Sequence, residues 1–138
     1  MRLDSDYYSA FIKFFDLCMN EIFGEQIRKI DEVHGFEYMG TFIIQYLYLP
    51  DNKLIKVENE LRTFGIYIFD EDNAHNSLKK IIDFDDSLNE KNIKNALFRL
   101  KEVLKNKEYS LFYNIENRLY KKDKNGKIKR LKDINEMM

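Results

Sequence analysis

The chain has 138 residues, 44% hydrophobic and 34% charged, with eleven Phe and nine Tyr; this suits one domain with its own core and excludes an intrinsically disordered chain. Its net charge of −1 is unevenly spread: residues 117–138 hold eight basic and three acidic side chains, giving a +5 tail on a −6 body. The lone Cys18 cannot form an internal disulfide, and no apolar run approaches the roughly 20 residues that span a bilayer.

The opening MRLDSDYY carries acids where a signal peptide would carry an apolar run. With a single cysteine on an apolar stripe, a cytoplasmic protein with no membrane partner is expected.

From Asp6 to about Val33 the apolar positions Tyr7, Phe11, Phe14, Phe15, Cys18 and Ile22 recur at helical spacing, with Asp4, Ser5 or Asp6 available as the cap. Gly24 marks a bend or restart, and His34-Gly35 marks the stop. Phe36 to Leu49 is rich in aromatic and β-branched residues and reads as a strand. The turn signal Pro50-Asp51-Asn52 leads into a second long strand, Leu54 to Leu61 and Thr63 to Phe69. The alternation changes phase between Val57 and Phe64, which predicts a bulge near Asn59 to Arg62.

Asp70-Glu71-Asp72-Asn73 ends the sheet and is placed to cap a short helix carrying Leu78, Ile81 and Ile82, which Asp83 to Asp86 then breaks. Ser87-Leu88-Asn89-Glu90 has capping-box spacing ahead of a helix whose stripe is Ile93, Leu97, Leu100 and Leu104. Tyr109 to Ile115, Arg118 to Lys121 and Lys127 to Leu131 read as short strands, with Lys124-Asn125-Gly126 as the last tight turn. No repeat or linker divides this order. The expected fold is a single α+β domain over residues 1–138, an antiparallel sheet of about four to six strands with helices packed on one face.

Catalytic patterns do not stand out. Cys18 lies on an apolar stripe, His34 and His75 read as structural or exposed, and neither phosphate-binding glycine motif is present. The acids Asp70, Glu71, Asp72, Asp83, Asp85 and Asp86 could ligate Mg²⁺ or Ca²⁺ if the short helix brought them together, but they match no calcium loop. The reading is of a non-enzyme with no cofactor and no metal.

The basic run Lys121, Lys122, Lys124, Lys127, Lys129, Arg130 and Lys132 has the charge of a nucleic-acid contact, and equally that of a solvated sheet edge. Tyr46, Tyr48, Tyr67 and Tyr113 are candidates for an exposed sheet face. Tyrosines beside acids suit a binder of a basic protein partner. The expected partner-binding residues are therefore Asp70, Glu71, Asp72, Asp83, Asp85 and Asp86, with Tyr48 and Tyr67 as aromatic anchors.

Tyr46-Leu47-Tyr48-Leu49-Pro50-Asp51, the stretch ENELRTFGIYIFDED from Glu58 to Asp72, and RLYKKDKNGKIKRLKDI from Arg118 to Ile134 resemble the small immunity proteins that guard Gram-positive bacteria against their own polymorphic toxins. The likeness is one of style over the last two-thirds of the chain, and no single functional residue is carried over from it. It implies a cytoplasmic antitoxin-like inhibitor that binds a cognate toxin domain and occludes its active site. A phage or mobile-element inhibitor of a host defence nuclease would have the same physical character. Nucleic-acid binding by the basic terminal hairpin is the other reading.

Overall fold

Among the described residues, eight strands in strict sequence order form one antiparallel meander, and three α-helices accompany it. The computed structural model describes residues 5–34, 41–115, 118–123 and 125–131. The strands are β1 Ile27–His34, β2 Phe42–Tyr48, β3 Lys53–Glu60, β4 Thr63–Phe69, β5 His75–Ser77, β6 Leu111–Ile115, β7 Arg118–Lys122 and β8 Ile128–Arg130. The helices are α1 Ser5–Phe23, α2 Leu78–Ile81 and α3 Glu90–Asn106. The expected α+β class is present, but the sheet is larger than the expected four to six strands, and three local misreadings account for the difference.

First, the second half of the expected N-terminal helix is strand β1. α1 ends at Phe23, and Gly24 follows with φ +56, the left-handed conformation that stops a helix at little cost in glycine. Beyond it Ile27, Ile30 and Val33 have the three-residue spacing of a helix. In the strand that spacing comes from a register shift between Lys29 and Asp31. Ile27 is buried opposite Tyr48, Ile30 is the extra residue and is exposed, and Val33 pairs with Ile43. A bulge inserted into an alternating pattern imitates a helical period.

Second, the phase change between Val57 and Phe64 is not a bulge but a hairpin. Glu60 pairs with Thr63, so only Leu61 and Arg62 make the turn. Ile55, Val57 and Asn59 point inward on β3, and Phe64, Ile66 and Ile68 do so on β4. A two-residue turn restarts the alternation just as an inserted residue would.

Third, Asp70–Asn73 does not cap a helix; it turns the chain into β5, where Phe69 pairs with His75 and Tyr67 with Ser77. α2 is capped instead by Ser77, whose Oγ accepts the Lys80 N–H at 3.3 Å. The capping box also fails as written. Ser87 is drawn into a bridge with Thr63, and the Leu88 N–H donates to the Arg62 carbonyl at 2.7 Å. Asn89 therefore caps α3, its Oδ1 accepting the Asn92 N–H at 2.8 Å. The stripe Ile93, Leu97, Leu100 and Leu104 is fully buried, as its spacing predicts.

The buried side chains form one cluster in which α1 and α3 cover the inward faces of β2, β3 and β4. Phe15 of α1 is its centre, edge-on to Phe42 at 6.0 Å and to Phe64 at 5.8 Å. Cys18 lies buried in the same cluster, and burial raises its thiol above the ordinary value. Among the described residues no helix is long and apolar enough to cross a membrane. Capping by Asp4, the stop at Gly35, the Phe36 end of the predicted strand, the His34 side chain, and Lys124 and Lys132 all lie outside the described residues.

A polar tie fixes α1 to the sheet. The Tyr46 hydroxyl donates to Asp16 Oδ1 at 2.6 Å, and Lys29 Nζ donates to Asp16 Oδ2 at 2.8 Å. Tyr46→Phe should cost about 2 kcal/mol, the loss of a hydrogen bond to a charged acceptor in a largely desolvated place. Urea titration checks this, and an unchanged midpoint would mean that Asp16 is held by Lys29 alone.

Candidate functional site

Because α1 and α3 share one face of the sheet, the outward-facing residues of the central strands meet neither of these two helices, and only the short α2 borders them, beside β4. The register aligns them in rows. One row crosses all eight strands as Arg28, Leu47, Leu54, Phe69, His75, Phe112, Lys121 and Lys129. Its middle is apolar and aromatic, and the His75 ring stacks on Phe69 at 5.0 Å and 19°. Leu47, Leu54 and Phe69 are half-buried, as side chains on an open sheet face shield one another. The next row runs Asp31, Gln45, Lys56, Tyr67 and Ser77, and a third joins Val33, Ile43, Glu58 and Gly65.

Tyr67 is the expected site residue that lands on this open face. Its ring lies along the sheet over Gly65: a Cβ there would sit 2.8 Å from the Tyr67 Oη and 2.9 Å from its Cε2. From that position the hydroxyl reaches across to the Glu58 carboxylate, the cross-strand neighbour of Gly65. Burial, then the negative charges of Glu58 and Glu60, raise the phenol above its ordinary value. Beside the ring is a groove of about 280 Å³, with Glu58 and Glu60 on its β3 side and Lys79 and Asp86 on the other. Lys79 Nζ and Asp86 Oδ1 are 3.1 Å apart.

The other expected site residues scatter. Tyr46 and Tyr48 face inward and are buried, Tyr48 against Phe23 at 5.8 Å. Both phases of β2 carry apolar residues, so alternation alone could not say which phase faced the helices. Tyr113 stacks on Tyr120 at 5.4 Å and packs against the core. Asp70 is buried, clipping the β4–β5 turn and pairing with Lys122. Exposure therefore does not recommend Asp70 or Tyr48 as contacts.

Of the remaining acids, Glu71 accepts from the Asn52 side chain, and Asp72 is exposed with its carboxylate 3.4 Å from Lys122. Asp83 and Asp85 are exposed; the Ser87 N–H bonds Asp85 at 3.0 Å and lowers its pKa. The backbone carbonyl of Asp86 accepts from Phe64 at the start of β4, whereas Asp70 follows its end. Six residue steps of strand put the two acidic groups on the order of 20 Å apart. The short helix does not bring them together, and no group of three or more metal-ligating side chains occurs among the described residues.

The basic hairpin is divided between faces. Lys121 and Lys129 are cross-strand partners on the open face, whereas Lys122 is engaged with Asp70 at 2.7 Å. His75 belongs to β5, not to a helix, and its Nδ1 lies 3.2 Å from the Asn73 carbonyl.

The phenols of Tyr46, buried, and Tyr109, half-buried against the core, make the fold sensitive to alkali. Burial, reinforced by the charge of Asp51, pushes Tyr109 up to about 12, and burial with the Asp16 hydrogen bond raises Tyr46 as well. An unfolded tyrosine ionises near its ordinary value of about 10, so the folded state holds these protons to higher pH. The stability they contribute is whole below about pH 10 and is lost as pH rises through the folded value near 12. Denaturant midpoints followed by tyrosine fluorescence should fall between those pH values. A flat midpoint up to pH 12 would contradict the desolvated setting of these two phenols.

Two features of the site had no warning in the acid and tyrosine pattern. Gly65 interrupts an otherwise bulky strand, a sequence sign of close approach by another group, and here the group is Tyr67. Leu61, at the hairpin tip, has φ +54 and is 65% exposed. Comparison with protein-family models, with curated proteins and with solved structures finds no match.

Proposed function

We propose that the protein is a binding inhibitor of the immunity type, a cytoplasmic antitoxin-like protein that docks a toxin domain on the sheet face opposite α1 and α3. The observation that carries this reading is that face itself. It offers a half-buried apolar centre of Leu47, Leu54 and Phe69, with Tyr67 beside it laid over Gly65 and next to the charge of Glu58. A pre-ordered aromatic surrounded by charge is the composition of an interface centre and its rim. The net charge of −6 on residues 1–116 adds long-range attraction for a basic partner.

The experiment is affinity capture from native lysate with and without nuclease treatment, followed by assay of the captured protein's activity in the presence of this chain. A single partner that survives nuclease treatment and loses activity when bound supports the reading. A partner whose activity is unchanged when bound sinks it. Whether the target is the cell's own toxin or a host defence nuclease is answered by what is captured, since both present the same chemistry to this surface.

A second reading, nucleic-acid binding by β7 and β8, draws on one observation. Lys121 and Lys129 sit directly opposite each other on one face, a repulsive pair that a bound phosphate would relieve. Its affinity would fall steeply with salt, and recovery of nucleic acid alone in the capture would favour it.

A further inference from the structure

We infer that the Tyr67 groove receives an arginine side chain from a protein partner, with Leu61, at the tip of the hairpin whose Glu60 and Thr63 line the groove, as a neighbouring apolar contact. This rests on the protein-partner reading above and adds the chemistry of the group that the groove takes.

The charge in the groove is arranged by wall. On the β3 wall, Glu58 stands beside the Tyr67 phenol and lies 3.7 Å from Lys56, while Glu60 beyond it is exposed at the end of the strand. On the α2 wall, Lys79 is engaged with Asp86. Lys80 also lines the groove, and it leaves the β3 wall as the anionic side. A guanidinium placed there lies over the aromatic face of Tyr67 and within reach of Glu58 and Glu60, combining cation–π attraction with a charge-assisted hydrogen bond. Arginine fits better than lysine because its flat fork can stack on the ring and bond a carboxylate at once.

Two features show a surface shaped at a cost to its own backbone. Glycine in a strand interior weakens the strand, yet at Gly65 it is what lets the Tyr67 ring lie down: the ring occupies the place a Cβ would need. Leu61 is held at φ +54 in a tight turn where asparagine or glycine would sit without strain. It is also exposed, so no burial within this chain compensates for that conformation. Strained residues persist where the surrounding structure holds them for a purpose; Gly65 lines the groove, and Leu61 stands at the hairpin tip between Glu60 and Thr63, which line it.

The test uses the full chain, ¹⁵N-labelled, titrated with an acetylated, amidated peptide in which one arginine is flanked by glycines and leucines. The control peptide replaces arginine by citrulline, which keeps the shape and removes the charge; a glutamate peptide is the third arm. Amide shifts should change at Gly65, Tyr67, Ser77 and Lys79, with the citrulline peptide binding about tenfold more weakly. Tyr67→Ala and Gly65→Ala, which displaces the ring, should each weaken the arginine peptide by a similar factor while leaving the rest of the spectrum in place. Leu61→Asn should raise the melting temperature and weaken the peptide.

Equal binding of arginine and citrulline peptides, preference for glutamate, or no change at these amides would overturn the inference. None of those results bears on whether a protein partner is captured from lysate, so the two readings fail separately.

Discussion

Replacing Asp70 with alanine should lower the unfolding free energy by about 3–5 kcal/mol, the range for breaking a buried, hydrogen-bonded ion pair on one side. The carboxylate is 3% exposed and fully used. Oδ1 accepts the backbone N–H groups of Asp72 at 2.9 Å and Ala74 at 3.0 Å, and Oδ2 lies 2.7 Å from Lys122 Nζ. One side chain therefore shapes the β4–β5 turn and ties it to β7, fifty-two residues further along the chain. Alanine removes all three bonds, leaves the Asp72 and Ala74 amides without their side-chain acceptor, and leaves Lys122 only its longer 3.4 Å contact with Asp72. Asp70→Asn keeps a carbonyl oxygen for the turn and loses mainly the charge pairing, so it should cost roughly half as much. Equal losses for the two variants, measured by urea unfolding, would show that the charge matters and the turn bonds do not.

Phe15→Ala is the second large effect, expected at about 3–5 kcal/mol. The ring is fully buried between α1 and the sheet and meets Phe42 and Phe64 edge-on, so alanine deletes both aromatic contacts and leaves a cavity that rigid strands cannot close. Domains of this size have a total stability of about 5–15 kcal/mol, and the melting temperature should fall on the order of 10 °C. Phe15→Leu retains most of the volume and should lose no more than about 2 kcal/mol. If leucine were as damaging as alanine, ring geometry and not volume would be the source of the stability.

Much of this architecture is legible in the chain itself. The stripe of α3, the strand at β2, the Asn125-Gly126 turn and the inward alternation on β3 and β4 follow from periodicity, because one face of each element had to be covered. Gly126 takes φ +82, and the Asp123 side chain accepts the Asn125 and Lys127 amides at 2.9 Å. What periodicity misread were places where one extra or one missing residue changes the count. The bulge in β1 resembled a helix, and the two-residue turn at Leu61-Arg62 resembled a bulge. Both errors are local in sequence, whereas the pairings that resolve them, Val33 with Ile43 and Glu60 with Thr63, depend on a partner strand.

The site was legible only in part. Tyr67 was named from its setting beside acids, and Asp86 came with it into the groove wall, but Glu58, Glu60, Gly65 and Leu61 were not. Their importance depends on the ring of Tyr67 lying along its own strand, which no spacing rule states. Tyr48 and Asp70 were named for exposure they do not have. An aromatic or an acid near a strand end reads the same whether it faces a helix layer or open solvent, and the core of this fold takes both.

The most direct test of the account compares two exposed aromatic positions on opposite sides of the molecule, using the partner recovered by capture. Tyr67→Ala lies on the sheet face opposite α1 and α3; Phe98→Ala removes a ring that is 49% exposed on α3. Titration calorimetry with the wild-type chain and both variants should show at least about a 30-fold loss of affinity for Tyr67→Ala, the loss typical of an interface anchor, and a change within about twofold for Phe98→Ala. The reverse result, with Phe98 decisive and Tyr67 neutral, would place the partner on the helix layer and contradict the account.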